Sequence, residues 1–155
     1  MAFMQVSRKV DYALRAVIHL ANDEHRGRAC SVAEIADRER VPKQFLEKII
    51  RDLIRTGLVR SRRGPHGGYV LARPAEDVTF QHVIEAVEGP ISLNVCVGEH
   101  AECFLLGACG MNRVWAEGQR RVMDLFQNTT IASVRHPQMG SSGPVQAEYS
   151  PSGRV

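Results

Sequence analysis

Apolar side chains recur along the front of the chain at the spacing of a single helical face. Val10, Ala13, Leu14, Val17, Ile18 and Ala21 follow the i, i+3, i+4, i+7, i+8, i+11 pattern, one stripe of a 3.6-residue period. Ser7 stands before the stripe as an N-cap candidate. A polar connection from Asn22 to Ala29, with Gly27 in it, separates this helix from the next. Ser31-Val-Ala-Glu34 has capping-box spacing, in which each side chain satisfies a backbone donor of the other residue, so a short second helix is predicted over about 31–38. Pro42 suits the first turn of a third helix, where its missing N–H has no intrahelical partner. Phe45, Leu46, Ile49, Ile50 and Leu53 carry that helix's apolar stripe up to Gly57.

The period then changes. Leu58-Val-Arg-Ser61 and Tyr69-Val-Leu-Ala72 read as two short strands around Arg62-Arg63-Gly64-Pro65-His66-Gly67-Gly68, a hairpin with a basic, glycine-rich tip. Three helices followed by such a hairpin is the winged-helix arrangement, in which the third helix enters the major groove and the wing lies along the backbone or minor groove. A phosphate-cradling loop is the competing reading of these glycines. It is set aside because Tyr69-Val70 follows where Lys-Ser/Thr is needed. Thr79 is a further N-cap candidate, with Val83, Ile84, Ala86 and Val87 forming a fourth helix that stops at Gly89-Pro90. Residues 91–109 read as irregular. Met111, Val114, Trp115, Val122, Leu125 and Phe126 then resume a helical stripe for about 16 residues, with Gly118 on the same face where a partner backbone could approach closely. Since the winged unit already has a core, this last helix is predicted to be a dimer interface. The segment 136–155 holds three Pro, three Gly and four Ser, a composition that predicts disorder.

The expected fold is therefore mainly α with a small β-hairpin wing, a winged helix-turn-helix followed by a long C-terminal dimerisation helix. The expected organisation is a DNA-binding unit over 1–90, a cysteine-bearing loop over 91–110, the dimerisation helix and its cap over 111–134, and a tail over 135–155. Bulk composition agrees with one globular domain: 155 residues, 44% hydrophobic and 24% charged. No apolar run approaches the roughly 18 to 20 residues of a membrane span, and the start lacks the features of a secretory signal, so a cytoplasmic protein with no membrane partner is expected. The net charge of +3 hides an asymmetry. Between residues 38 and 73 there are ten basic side chains against three acidic ones, and only three of the chain's 20 basic residues are Lys. Such a concentration of guanidinium groups is a footprint for a polyanion, although a solvated helix face would look similar.

Cys96, Cys103 and Cys109 lie within 14 residues of one another at spacings C-x6-C-x5-C, in a loop that also holds Gly98, Gly107 and Gly110. In a reducing compartment, thiols so placed more often ligate a metal or cluster than form disulfides. Three thiolates need a further ligand. His100 would complete a Cys3His zinc site, Asn112 is a poor donor, and a carboxylate from elsewhere is the third choice. Buried filler is the plain alternative for all three. Cys30 stands apart, before the second helix, where buried filler is its first reading and ligation or a redox role the second. Without a substrate or nucleotide motif or paired catalytic groups, an enzyme is not expected.

The wing Arg63-Gly-Pro-His-Gly-Gly-Tyr69, the opening Val10-Asp-Tyr-Ala-Leu-Arg15, the segment Val87-Glu-Gly-Pro90 and the three cysteines together resemble the Rrf-two family of bacterial winged-helix regulators, which includes the IscR, NsrR and RirA types. The resemblance runs from about Ser7 to Val134. It implies a homodimer on a double-stranded DNA operator, controlled by an iron-sulfur cluster that senses nitric oxide, iron or cluster status, and acting as a repressor. It also implies that the DNA-reading helix begins with Pro42, Lys43, Gln44, Phe45 and Glu47, and that Arg62, Arg63, Gly64, Pro65 and His66 form the wing tip with Arg63 in the minor groove. Cys96, Cys103 and Cys109 carry over as cluster ligands. Asn112 stands where IscR-like members place a histidine, which counts against that 2Fe-2S mode. Asp11 matches the position from which NsrR-like members supply a carboxylate, which favours 4Fe-4S. The alternative is a winged-helix regulator with a structural zinc site or a thiol-based redox switch.

Overall fold

The computed structural model describes residues 6–22, 27–98, 103 and 108–135. Among them are helices α1 (Arg8–Ala21), α2 (Val32–Glu39), α3 (Lys43–Arg55), α4 (Phe80–Glu88) and α5 (Met111–Asn128). An antiparallel hairpin of β1 (Val59–Arg62) and β2 (Gly68–Leu71) falls between α3 and α4. Mainly helical with one small wing, the chain has the fold class that its periodicity predicts. The tail 136–155, predicted to be disordered, lies outside the described residues. Arg135, grouped with that tail, is held by Glu76 at 3.5 Å and reaches the Ala21 carbonyl.

Helices α1, α2 and α4 start at a side-chain cap. Ser7 Oγ accepts from Val10 N–H and Ser31 Oγ from Glu34 N–H, each satisfying one of the donors that a helix start leaves open. The Ser31 box is only half formed, because the Glu34 carboxylate turns outward to the Arg28 guanidinium. A complete box sits instead at α4, where Thr79 Oγ1 accepts from His82 N–H and His82 Nδ1 accepts from Thr79 N–H at 3.1 Å. Pro42 is the N-cap of α3 rather than part of its first turn. Helix α5 runs for 18 residues, slightly longer than its stripe implies.

Helix α1 lies at the centre. Its Val10, Ala13, Ala16 and Val17 are buried with Leu46, Ile49, Ile50 and Leu53 of α3 and Val83 and Val87 of α4 in one core. Alanines on the inner face let the neighbouring helices approach closely. Lys9 donates to the Val87 carbonyl and Ser7 to Glu88, pinning the start of α1 to the end of α4. The chain returns to this unit after α5: Ile131 N–H donates to Val78 O at 2.7 Å and Phe80 N–H to Thr129 O at 3.0 Å, while the Phe126 ring meets Phe80 with centroids 6.2 Å apart.

The wing is rooted in the segment before α2. Cys30 and Tyr69 exchange both backbone hydrogen bonds, at 3.0 and 2.8 Å. Gly68 makes this approach feasible. Its φ is +153°, and a Cβ there would lie 2.5 Å from the Cys30 carbonyl oxygen.

Candidate nucleic-acid interface and cysteine loop

The amphipathic pattern of α3 separates packing from recognition. Leu46, Ile49, Ile50 and Leu53 are buried, and Pro42, Lys43, Gln44, Phe45, Glu47, Lys48 and Arg51 are exposed. Phe45 is 59% exposed at the start of the helix. An apolar ring left in water there is suited to the thymine methyl group. No side chain caps α3, so the positive end of its dipole and its first amides remain available to phosphate. Glu47 is an acceptor on the same exposed face, of the type that pairs with cytosine.

At the wing, Gly67 N–H closes a turn onto Gly64 O at 2.9 Å, and Gly64 has a φ of +115°. A Cβ on Gly67 would lie 2.6 Å from the Arg62 carbonyl, so only glycine fits the turn. Arg62, Arg63, Pro65 and His66 are all exposed. The two arginines nevertheless differ: the Arg62 guanidinium donates to the Gly27 carbonyl, whereas Arg63 has no hydrogen-bond or ion-pair partner among the described residues. Arg62 braces the wing and Arg63 is left to reach outward. The sequence marked both and did not separate them.

The cysteine loop meets α5 through Asn112. Its side-chain amide donates to the Cys96 carbonyl at 3.2 Å, and its backbone N–H donates to the Cys109 carbonyl at 3.1 Å. Asn112 is thus a clamp between two cysteines of the set. Gln119 adds a second tie, accepting from Leu93 N–H and donating to Ile91 O. Cys96, Cys103 and Cys109 are free thiols of intermediate exposure. Their three sulfurs do not all lie within 4.8 Å of one another; among the described residues only His19, Cys30 and Glu34 form such a group. A single tetrahedral zinc binds sulfur at about 2.3 Å and holds its thiolates within about 4 Å of each other, a closer set than this loop presents. The donor chemistry fits a larger iron-sulfur unit, each iron of which takes its own thiolate. His100 lies outside the described residues. Asp11 is half-exposed on α1 and paired with Arg15 at 3.0 Å.

Helix α5 buries no residue. Met111, Val114 and Leu125 are exposed, and Trp115, Val122 and Phe126 are partly covered. Gly118, expected to face a partner backbone, faces Leu93 of its own chain instead, with a Cβ position 3.4 Å from Cδ1. Among the described residues no helix is long and apolar enough to cross a membrane.

The model of the Rrf2 family, described as iron-dependent transcriptional regulators, matches residues 6–137. The chain belongs to the Rrf2 family. An rrf2-like HTH-type transcriptional regulator of Rhodobacter capsulatus is 36% identical over 133 residues, covering 81% of this chain and 89% of that protein. Two solved structures are similar at a TM-score of 0.69 each. One is CymR, described as the global cysteine regulator of B. subtilis, 27% identical over 86% of this chain and 97% of its own. The other is IscR of T. potens, 29% identical over 84% and 85%. Rrf2 proteins are DNA-binding transcriptional regulators.

Proposed function

We propose that the protein is a homodimeric repressor whose operator binding is set by an iron-sulfur cluster held in the loop at the base of α5. The observation that carries this reading is the set of three free thiols, Cys96, Cys103 and Cys109, with Asn112 clamping two of them to the helix expected to join the subunits. Asn112 has only a neutral amide oxygen to offer, a weak donor, so a carboxylate is the better fourth ligand. Asp11 of the partner subunit, here paired with Arg15, would supply that carboxylate, and 4Fe-4S is the favoured form. When bound, such a cluster supplies a centre that reacts with nitric oxide or is lost when iron is scarce. A hard carboxylate is a weak, displaceable ligand among thiolates and suits a sensor.

Lys43, Gln44, Phe45 and Glu47 read base edges from the major groove, and Arg63 enters the minor groove with His66 and Pro65 beside the backbone. The apolar, uncovered stripe of α5 supports the dimer, and the loop is placed to change how the two DNA-reading units sit relative to each other. Anaerobic purification with iron, sulfide and zinc analysis tests this reading, alongside Asp11→Ala. About four iron and four sulfide per chain, bleached by nitric oxide and destabilised in Asp11→Ala, is the expected result. About two iron would replace the 4Fe-4S assignment with 2Fe-2S, and a colourless protein with about one zinc held through His100 would overturn iron-sulfur sensing. Equal operator affinity of loaded and empty protein at matched salt would remove the coupling. The equal likeness to CymR favours one second reading, in which the bare thiols themselves are the switch; reversible thiol modification in an iron-free, operator-binding protein would establish it.

A further inference from the structure

The cluster of His19, Cys30 and Glu34 lies away from the cysteine loop and is used by nothing above. It joins the last turn of α1, the residue that pairs with the wing, and the first turn of α2. One ligand atom from each lies within 4.8 Å of the other two. His19 is 2% exposed and Cys30 0% exposed, while the Glu34 side chain keeps 27% of its surface open, which provides a way in from solvent. A second observation points the same way. Glu39 Oε1 lies 2.9 Å from His19 Nδ1 and holds the ring by that nitrogen, so Nε2 would be the ligating atom; a carboxylate on the far ring nitrogen is how metal-bound histidines are usually oriented.

We propose that His19, Cys30 and Glu34 bind a thiophilic divalent cation of the zinc class at the root of the wing. One thiolate, one imidazole and one carboxylate match zinc's ligand preferences and fall short of the all-oxygen shells that calcium and magnesium require. Water completes the tetrahedron. Zinc–ligand bonds of about 2.0 to 2.3 Å require the three side chains to close by about 1 Å. Arg28 now supplies the positive charge beside Glu34, donating to both carboxylate oxygens, and the cation takes its place. Binding deprotonates the Cys30 thiol and releases one proton. Because Cys30 carries both backbone bonds to Tyr69 and Ser31 caps α2, the ion ties the wing to the helix-turn-helix.

The test uses the full chain carrying Cys96→Ser, Cys103→Ser and Cys109→Ser, which leaves Cys30 as the sole thiol of the four. Cobalt titration is expected to give one ion per chain with a thiolate-to-cobalt absorption band, displaced by one equivalent of zinc. Adding Cys30→Ser abolishes the band. Glu34→Gln or His19→Gln weakens zinc at least about tenfold, and Glu39→Gln weakens it by about 10- to 100-fold with the helical circular dichroism intact. Absence of the band, its persistence without Cys30, or unchanged zinc affinity in Glu34→Gln would overturn the site. Glu34 is partly exposed, so its variant carries the test even where replacement of the buried Cys30 disturbs folding. Neither result touches the iron content of the unmodified chain, so this site and the cluster loop stand or fall separately.

Discussion

Helices α1 to α4 each bury at least two side chains in one shared core, whereas α5, the longest helix, buries none of its 18 residues. The unit formed by α1 to α4 has its own core. The α5 half exposes Met111, Val114 and Leu125 and reaches the rest of the molecule through Asn112, Gln119 and the Phe80–Phe126 pair. An 18-residue helix is about 27 Å long, ample for a second copy to lie along, and its exposed Met111, Val114 and Leu125 are where the proposed dimer would form. Stability and assembly are thereby assigned to different elements.

The largest effect that would sharpen this contrast is a cavity on one side set against truncation on the other. Ile49→Ala, at a site 1% exposed, is expected to lower the free energy of unfolding by about 2–5 kcal/mol, measured by denaturant titration. Val114→Ala, at a site 72% exposed, is expected to leave subunit unfolding within about 0.5 kcal/mol and to weaken dimerisation in sedimentation experiments. Equal destabilisation by both would abolish the distinction. Arg63→Ala comes next, with a loss of about 1–3 kcal/mol in operator binding and no change in folding. Glu47→Ala is expected to relax sequence preference rather than reduce affinity, and identical footprints before and after substitution would remove it from the reading helix. Ser31→Ala is expected to cost about 1 kcal/mol of stability through the cap of α2.

The smallest effect belongs to Glu117. Arg120 and Arg121 donate to its carboxylate and hold its pKa at about 2, down from 4.5. A depressed carboxyl pKa stabilises the fold above the unfolded value and loses that contribution as pH falls from 4.5 towards 2. Glu117→Gln and the unmodified chain should therefore differ slightly at neutral pH, converge in acid, and differ less at high salt because the group is exposed. A difference that grows on acidification would reverse the assignment.

Much of the front half was legible because its stripes are regular. Leu46, Ile49, Ile50 and Leu53 are buried as their spacing predicts, whereas Phe45 at the head of that stripe is exposed; in α1 Val10, Ala13, Val17 and Ala21 are buried, Leu14 and Ile18 only partly, and Ala16 and Leu20 join the buried face. Gly64, Gly67 and Gly68 mark the hairpin. Features made by long-range approach were not legible. Nothing local says that Cys30 will pair with Tyr69, that Arg62 will turn back to Gly27, or that His19 will meet Glu39. The box at Thr79 was missed in part because His82 takes the role usually given to Glu or Gln. At the cysteine loop the donor types were readable from spacing, but the clamp through Asn112 was not, since a short amide signals no partner until α5 places it beside Cys96. The stripe position of Gly118 likewise does not reveal that Leu93 of the same chain lies beside it.

The pairing of Cys30 with Tyr69 also bears on how such a protein can be regulated. By stitching the wing to the residue just before the cap of α2, it would make each subunit of the proposed dimer a single reading head. What would remain adjustable in that dimer is the distance between two heads on one duplex. Along DNA that distance is counted in steps of about 3.4 Å, so a displacement no larger than one base-pair rise puts one head a full letter out of register with its half-site.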